Sequence, residues 1–139
     1  MTTQISAMLL TACICLTLTL IEAWCLTAVR HLGWRWAKAA FPAHANLLKS
    51  HIDFLLMSVL LFSTALTLDH LQLTLPTPAL IAVCAGSILN PLGFLALAIK
   101  PTLPQSPASP FGALMAGSFT LTTIGYLAIA GMVAWRVVG

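Results

Sequence analysis

The sequence predicts an all-α integral membrane protein, a four-helix antiparallel bundle, and three observations carry that prediction. Hydrophobic residues make up 60% of the 139 positions, only 6% are charged, and the mean hydropathy is +1.00. A soluble domain carries about a quarter charged residues, and three acids with six bases cannot build a polar shell. The few charges also avoid the long apolar runs, four of which reach the roughly 20 residues a spanning helix needs. Short segments join these runs, so sequence neighbours pack antiparallel in a single transmembrane domain over residues 1–139, with no internal repeat.

The first span runs over about 5–29. LLTAC at 9–13 has the look of a lipoprotein cleavage box, but no Lys or Arg precedes Arg30 and the apolar run continues past Cys13, so the expectation is an uncleaved helix. Loop 1 follows with LGWRWAKAAF, where Trp34, Trp36 and Phe41 are interspersed with Arg35 and Lys38. Such a stretch suits the headgroup level, or is a solvated basic loop. The second span covers about 52–68, and starts earlier, at 42, if Pro42 opens the helix. The third covers about 78–99, and a stiff Pro- and Ser-rich connector, KPTLPQSPASP, leads to the fourth at about 111–138.

Arg30, Arg35, Lys38, Lys49 and Lys100 fall on the side of the first and third loops, and Arg136 falls on the other. The positive-inside rule then places those loops in the cytoplasm and predicts a multi-pass protein of the cell inner (cytoplasmic) membrane. Basic residues beside a bilayer are accounted for by lipid, so no nucleic acid is implied. Cys13, Cys15, Cys25 and Cys84 lie within the spans without CxxC spacing and read as inert thiols.

Polar residues inside the spans carry the functional expectations, since each has a local cost there. Glu22 in LTLIEAWCLT is either a proton-coupled group, as in small four-helix drug transporters, or a carboxyl bonded to another helix. In KSHIDFLLMSVLL, His51 shares a face with His44 and Ser58 at seven-residue spacing, while Asp53 and Met57 form a second stripe. Two stripes suggest two neighbours, the helix's own bundle on one side and another subunit or a cofactor on the other. Taken singly, His51 reads as an interfacial imidazole on a carbonyl or headgroup, and Asp53 as an early-turn acid favoured by the helix dipole. In CAGSILNPLGF, Pro91 lacks an amide hydrogen and frees a carbonyl near Ser87, with Gly86, Asn90 and Gly93 on one narrow face. Asn90 needs a partner in mid-membrane, most simply a neighbouring helix. Ser118, Thr122 and Gly125 give the fourth helix close-packing spacing, beside Tyr126, the only tyrosine.

This order of parts resembles the small four-helix membrane isomerases that include styrene oxide isomerase and hydroxylaminobenzene mutase. The resemblance covers nearly the whole chain, on short motifs. The family's second helix has a histidine followed six positions later by asparagine and glycine; here His51 stands first, with Met57 and Ser58 in the later positions. NPLGF, Asn90 to Phe94, is similar to the family's asparagine-to-glycine-phenylalanine stretch, and the tyrosine that follows in styrene oxide isomerase is replaced.

The resemblance implies haem b held between subunits of a homotrimer, with His51 as the axial iron ligand. It further implies Lewis-acid opening of a small lipophilic epoxide to a carbonyl, or rearrangement of an arylhydroxylamine. On that reading Asp53, Met57 and Asn90 are the catalytic candidates. Ser58 and Phe94 would contact the cofactor, and His44 would be a second imidazole. Without the family's asparagine and tyrosine, the cofactor site can persist without the epoxide chemistry, so a non-catalytic haem-binding subunit or carrier is one alternative. A proton-coupled transporter using Glu22 is the other.

Overall fold

A computed structural model describes residues 2–139. Among them are five helices: α1 (Thr3–Arg30), α2 (Arg35–Ala40), α3 (His44–His70), α4 (Thr77–Ile99) and α5 (Pro110–Val138). Four are long and apolar enough to cross a bilayer, and α2 is a helix of six residues. The protein is therefore a multi-pass membrane protein with the antiparallel four-helix bundle that its composition predicts.

Local chemistry sets the helix ends. Gly33 takes a left-handed φ of +64° just beyond α1, a conformation glycine reaches without Cβ strain, and turns the chain into α2. Ala37 of α2 is fully buried and packs with Ala28 and Val29 of α1, while Trp34 and Trp36 stay exposed. The α3 helix begins at His44, eight residues before the apolar run; Pro42 precedes it by two positions and does not open it. Ser109 caps α5, its Oγ accepting from the Gly112 amide at 3.0 Å.

At the far end of the bundle, Gln4 clamps the α3–α4 turn. Its Nε2 donates to the Leu73 carbonyl and its Oε1 accepts from the Leu75 amide, both at 2.8 Å. At the near end, the Ala43 amide donates to the Ala98 carbonyl at 3.2 Å, which ties the start of α3 to the end of α4.

The α3 helix is central, packing against α1 on one side and α4 on the other, and α5 lies mainly against α4. That last contact is close: a Cβ on Gly86 would meet the Thr122 backbone, and one on Gly125 would meet the Val83 backbone. Small residues there let two helix backbones approach, as the spacing in the sequence predicts. The main core, including Met8, Ala12, Phe54, Leu61, Ala65, Leu68 and Val83, fills the α1–α3–α4 interior. Only 11% of the α5 span is buried, against 44% for α4, so α5 shows most of its apolar surface outward.

Candidate functional site

The two stripes of α3 do have two neighbours, and both are helices of this chain. Residues two apart on a helix point about 200° from each other. His51 accordingly faces α1, with Nδ1 3.1 Å from the Thr19 carbonyl oxygen. Asp53 faces α4, where its Oδ2 accepts from Asn90 Nδ2 at 2.7 Å. A carbonyl oxygen only accepts, so His51 Nδ1 is the nitrogen that carries hydrogen, and in the neutral ring Nε2 keeps its lone pair. His51 is half-buried, and its neighbour one turn along α3, Leu55, is exposed, as is Leu20 beside Thr19 on α1.

A second polar group lies on the α1–α4 interior at Ser50, one residue before His51 and about one turn before Asp53. Ser50, fully buried, has its Oγ 2.7 Å from Glu22 Oε1 and 3.0 Å from the Pro91 carbonyl oxygen. Glu22 is 3% exposed and Asn90 5% exposed, and each keeps one buried oxygen without a hydrogen-bond partner, Glu22 Oε2 and Asn90 Oδ1. Three helices thus place two carboxyl groups, an amide and a hydroxyl around Pro91. The chain has three acids in all, and the third, Asp69, is exposed beyond the opposite end of α3.

Pro91 lies inside α4 and leaves a carbonyl to be satisfied. Pro91 cannot donate to the Ser87 carbonyl, and the Cys15 thiol of α1 takes that acceptor at an S···O distance of 3.7 Å. Ser87 Oγ lies 3.1 Å from Tyr126 Oη, joining α4 to α5. All four cysteines are free; Cys15 is buried, while Cys13 faces outward from α1.

The remaining candidates scatter. Met57 is buried in the main core. Ser58, two turns on from His51 along the same face, is 2% exposed. Phe94 lines a hollow with Leu97, Phe111, Met115 and Phe119 between α4 and α5, away from the α1–α3 contact that holds His51. His44 is exposed at the α1–α3 mouth, about 10 Å along the axis from His51 at 1.5 Å per residue. The fold therefore joins Asp53 with Asn90 on the α4 side of α3 and holds His51 on the α1 side. Among the described residues no three His, Cys, Asp or Glu side chains gather as a metal-ion site. Axial ligation of haem iron asks for only one such donor.

Sequence reading missed Ser50 as the residue linking Glu22 to α4. Its signal was present: it is the hydroxyl immediately before His51, on the face opposite the exposed Leu55 and Leu56. Gln4 was also missed, because a glutamine near a chain start reads as solvated.

Compared with known protein families, with curated proteins and with solved structures, the chain finds no match.

Proposed function

We propose that this chain is a haem b-binding membrane isomerase with His51 as the axial ligand, rearranging a small lipophilic epoxide or arylhydroxylamine. The observation that supports it is the anchored imidazole. A ligand histidine ordinarily donates its second ring N–H to a carbonyl or carboxylate, which fixes the tautomer and aims the lone pair. His51 has that arrangement on the Thr19 carbonyl, beside the exposed apolar side chains Leu20 and Leu55. His51 would be the residue that holds the iron of a haem at the bundle surface, and the homotrimer of the resembled family would cover that surface.

When bound, ferric haem supplies a Lewis acid that polarises an epoxide or hydroxylamine oxygen without bringing a charged group into lipid. The chain's own residues do the rest. Thr19 holds the His51 ring, and the apolar surface around it excludes water from a cation-like arrangement of the substrate. Asn90 donates to Asp53 between α4 and α3, and the two act as a positioning pair that fixes the rotation of α3 against α4. Met57 packs the interior and does not line the substrate surface on this reading. An intramolecular rearrangement needs no cosubstrate, in keeping with a sequence that has no nucleotide or phosphate motif. The charge asymmetry supports a cytoplasmic side for loops 1 and 3, and on this reading the protein would sit in the inner membrane.

Protein purified in mild detergent and loaded with haem tests the proposal against a panel of aryl epoxides and arylhydroxylamines. The expected result is isomerisation by the wild type and a loss on the order of 100-fold or more in His51→Ala. Haem binding without turnover of any panel member would make the chain a carrier, and failure to bind haem would end the reading.

One observation favours a second reading, proton-coupled transport. Ser50 has a single hydrogen for two acceptors, and Glu22 Oε2 has no partner and no basic residue beside it. A proton on Glu22 would complete a chain from Glu22 through Ser50 to the Pro91 carbonyl. On this reading Glu22→Gln abolishes pH-gradient-driven efflux from vesicles and leaves haem binding by His51 intact.

A further inference from the structure

A hollow of about 410 Å³ opens where α1 ends, α2 turns back and α3 begins, lined by Val29, Arg30, Lys38, Phe41, Pro42 and His44. We infer that it binds the phosphate of an anionic phospholipid headgroup, with the first part of the acyl region against Val29, Phe41 and Pro42.

Charge is the first support. Arg30 and Lys38 are exposed on this hollow, and no carboxylate is available to either. Glu22 and Asp53 are committed to Ser50 and Asn90 in the interior, and Asp69 lies at the opposite end of α3. Two unpaired cations sharing one concavity repel each other unless an anion sits between them.

Backbone polarity is the second. The α3 helix, 27 residues long, starts at His44 on this hollow, and no side chain caps its N-terminus. The Ala43 and Asn46 amides are taken by the Ala98 and Ala43 carbonyls, which leaves the first-turn amides of His44 and Ala45 and the positive end of the dipole to favour a phosphate there. His44 adds an imidazole at the same rim.

Depth is the third. Trp34 and Trp36, the former at the start of α2, are exposed at 48% and 58% with ring centroids 5.7 Å apart. Tryptophan pairs of this kind settle at the headgroup level, which puts the adjoining hollow at the depth of lipid phosphate. Five of the six Lys and Arg residues also cluster at this end. A membrane leaflet rich in anionic lipid is attracted to such an end, at roughly a fivefold gain per basic side chain. A soluble phosphate would match the cations equally but would leave Val29, Phe41 and Pro42 unused, so the lipid is the better fit. The inference is independent of haem and of Glu22.

Native mass spectrometry of the protein released from mixed phosphatidylglycerol–phosphatidylcholine nanodiscs tests it. The wild type should retain phosphatidylglycerol in preference to phosphatidylcholine. Arg30→Gln combined with Lys38→Gln should cut that retention roughly 30-fold, the product of two such gains. Arg30→Lys with Lys38→Arg should keep the preference, and so should Arg136→Gln at the opposite face. If the neutralised double variant fails to fold, salt titration of the wild type reads the same interaction, because retention should fall as ionic strength rises. Equal retention of the two lipids by the wild type, or an unchanged preference in a folded double variant, would overturn the site. Displacement of phosphatidylglycerol by millimolar inorganic phosphate would overturn the lipid assignment in favour of a soluble anion.

Discussion

The two halves of the bundle use the same helices in opposite ways. In the half nearest the α3–α4 turn, hydroxyl groups return their hydrogens to their own helices: Thr11 to Ala7, Thr64 to Leu60 and Thr67 to Ser63. There the helices meet chiefly through Met8, Ala12, Leu61, Ala65 and Leu68; Gln4 reaches across at the turn, and Cys15 with the Ser87 carbonyl and Ser87 with Tyr126 cross near mid-bundle. In the half nearest loop 1, polar atoms cross between helices, Ser50 to Glu22 and to the Pro91 carbonyl, His51 to Thr19 and Asn90 to Asp53. Packing is the main contact in the first half, where no carboxyl group is buried between helices, so the two carboxyl groups held between helices in the second stand out. Polar groups kept where they are costly mark the half in which function is to be sought.

The sharpest way to break the comparison is to attack packing alone. Gly125→Val would drive a branched side chain into the Val83 backbone and push α5 off α4. The expected loss is about 3 kcal/mol, the upper range for overpacking, read as earlier unfolding in mixed SDS micelles. Leu61→Ala in the apolar half should cost about 2 kcal/mol in the same assay. That is the low end for such truncations, because lipid removes much of the transfer contribution and leaves the cavity. In the polar half, Asn90→Leu should cost only about 1 kcal/mol, typical of a hydrogen bond between membrane helices with its partner left unpaired. Asp53→Leu added to it should restore most of the loss, since both polar partners are then gone. Should the polar substitutions prove costlier than Leu61→Ala, the division of labour between the halves is wrong.

The smallest effect concerns the outer face of α5. A Cβ at Gly117 would meet nothing within 4 Å, so Gly117→Ala should shift stability by less than about 1 kcal/mol, toward greater helix stability. A clear destabilisation, or a change in oligomer size on light scattering, would instead place a second copy of the chain against that face.

Much of this architecture is legible in the residue order, because hydropathy over 20-residue windows reads directly as spans. The helix ends found lie within about two residues of expectation, except at α3. Its eight extra residues are half-polar and extend beyond the apolar run, so hydropathy alone does not see them, and Pro42 signals an earlier start but misses it by two positions. Asn90 bonding to a neighbouring helix, Glu22 doing the same, and the carbonyl released by Pro91 were all readable, since a buried polar group in lipid must find a partner. Which partner was not readable. Ser50 and Cys15 became partners only through the rotation of α3 and α1, which is set by packing across helices distant in sequence. The same rotation separates Asp53 and Asn90 from His51, where the family resemblance had gathered them into one pocket. Phe94 went to the α4–α5 side for the same reason.

The most direct measurement is the visible spectrum of the protein reconstituted with haem, comparing wild type, His51→Ala, and His51→Ala with free imidazole added. The account predicts a Soret band in the wild type, its loss on substitution, and its return when imidazole supplies the missing lone pair. A wild type that takes up no haem, or a His51→Ala protein whose band is unchanged, would contradict it.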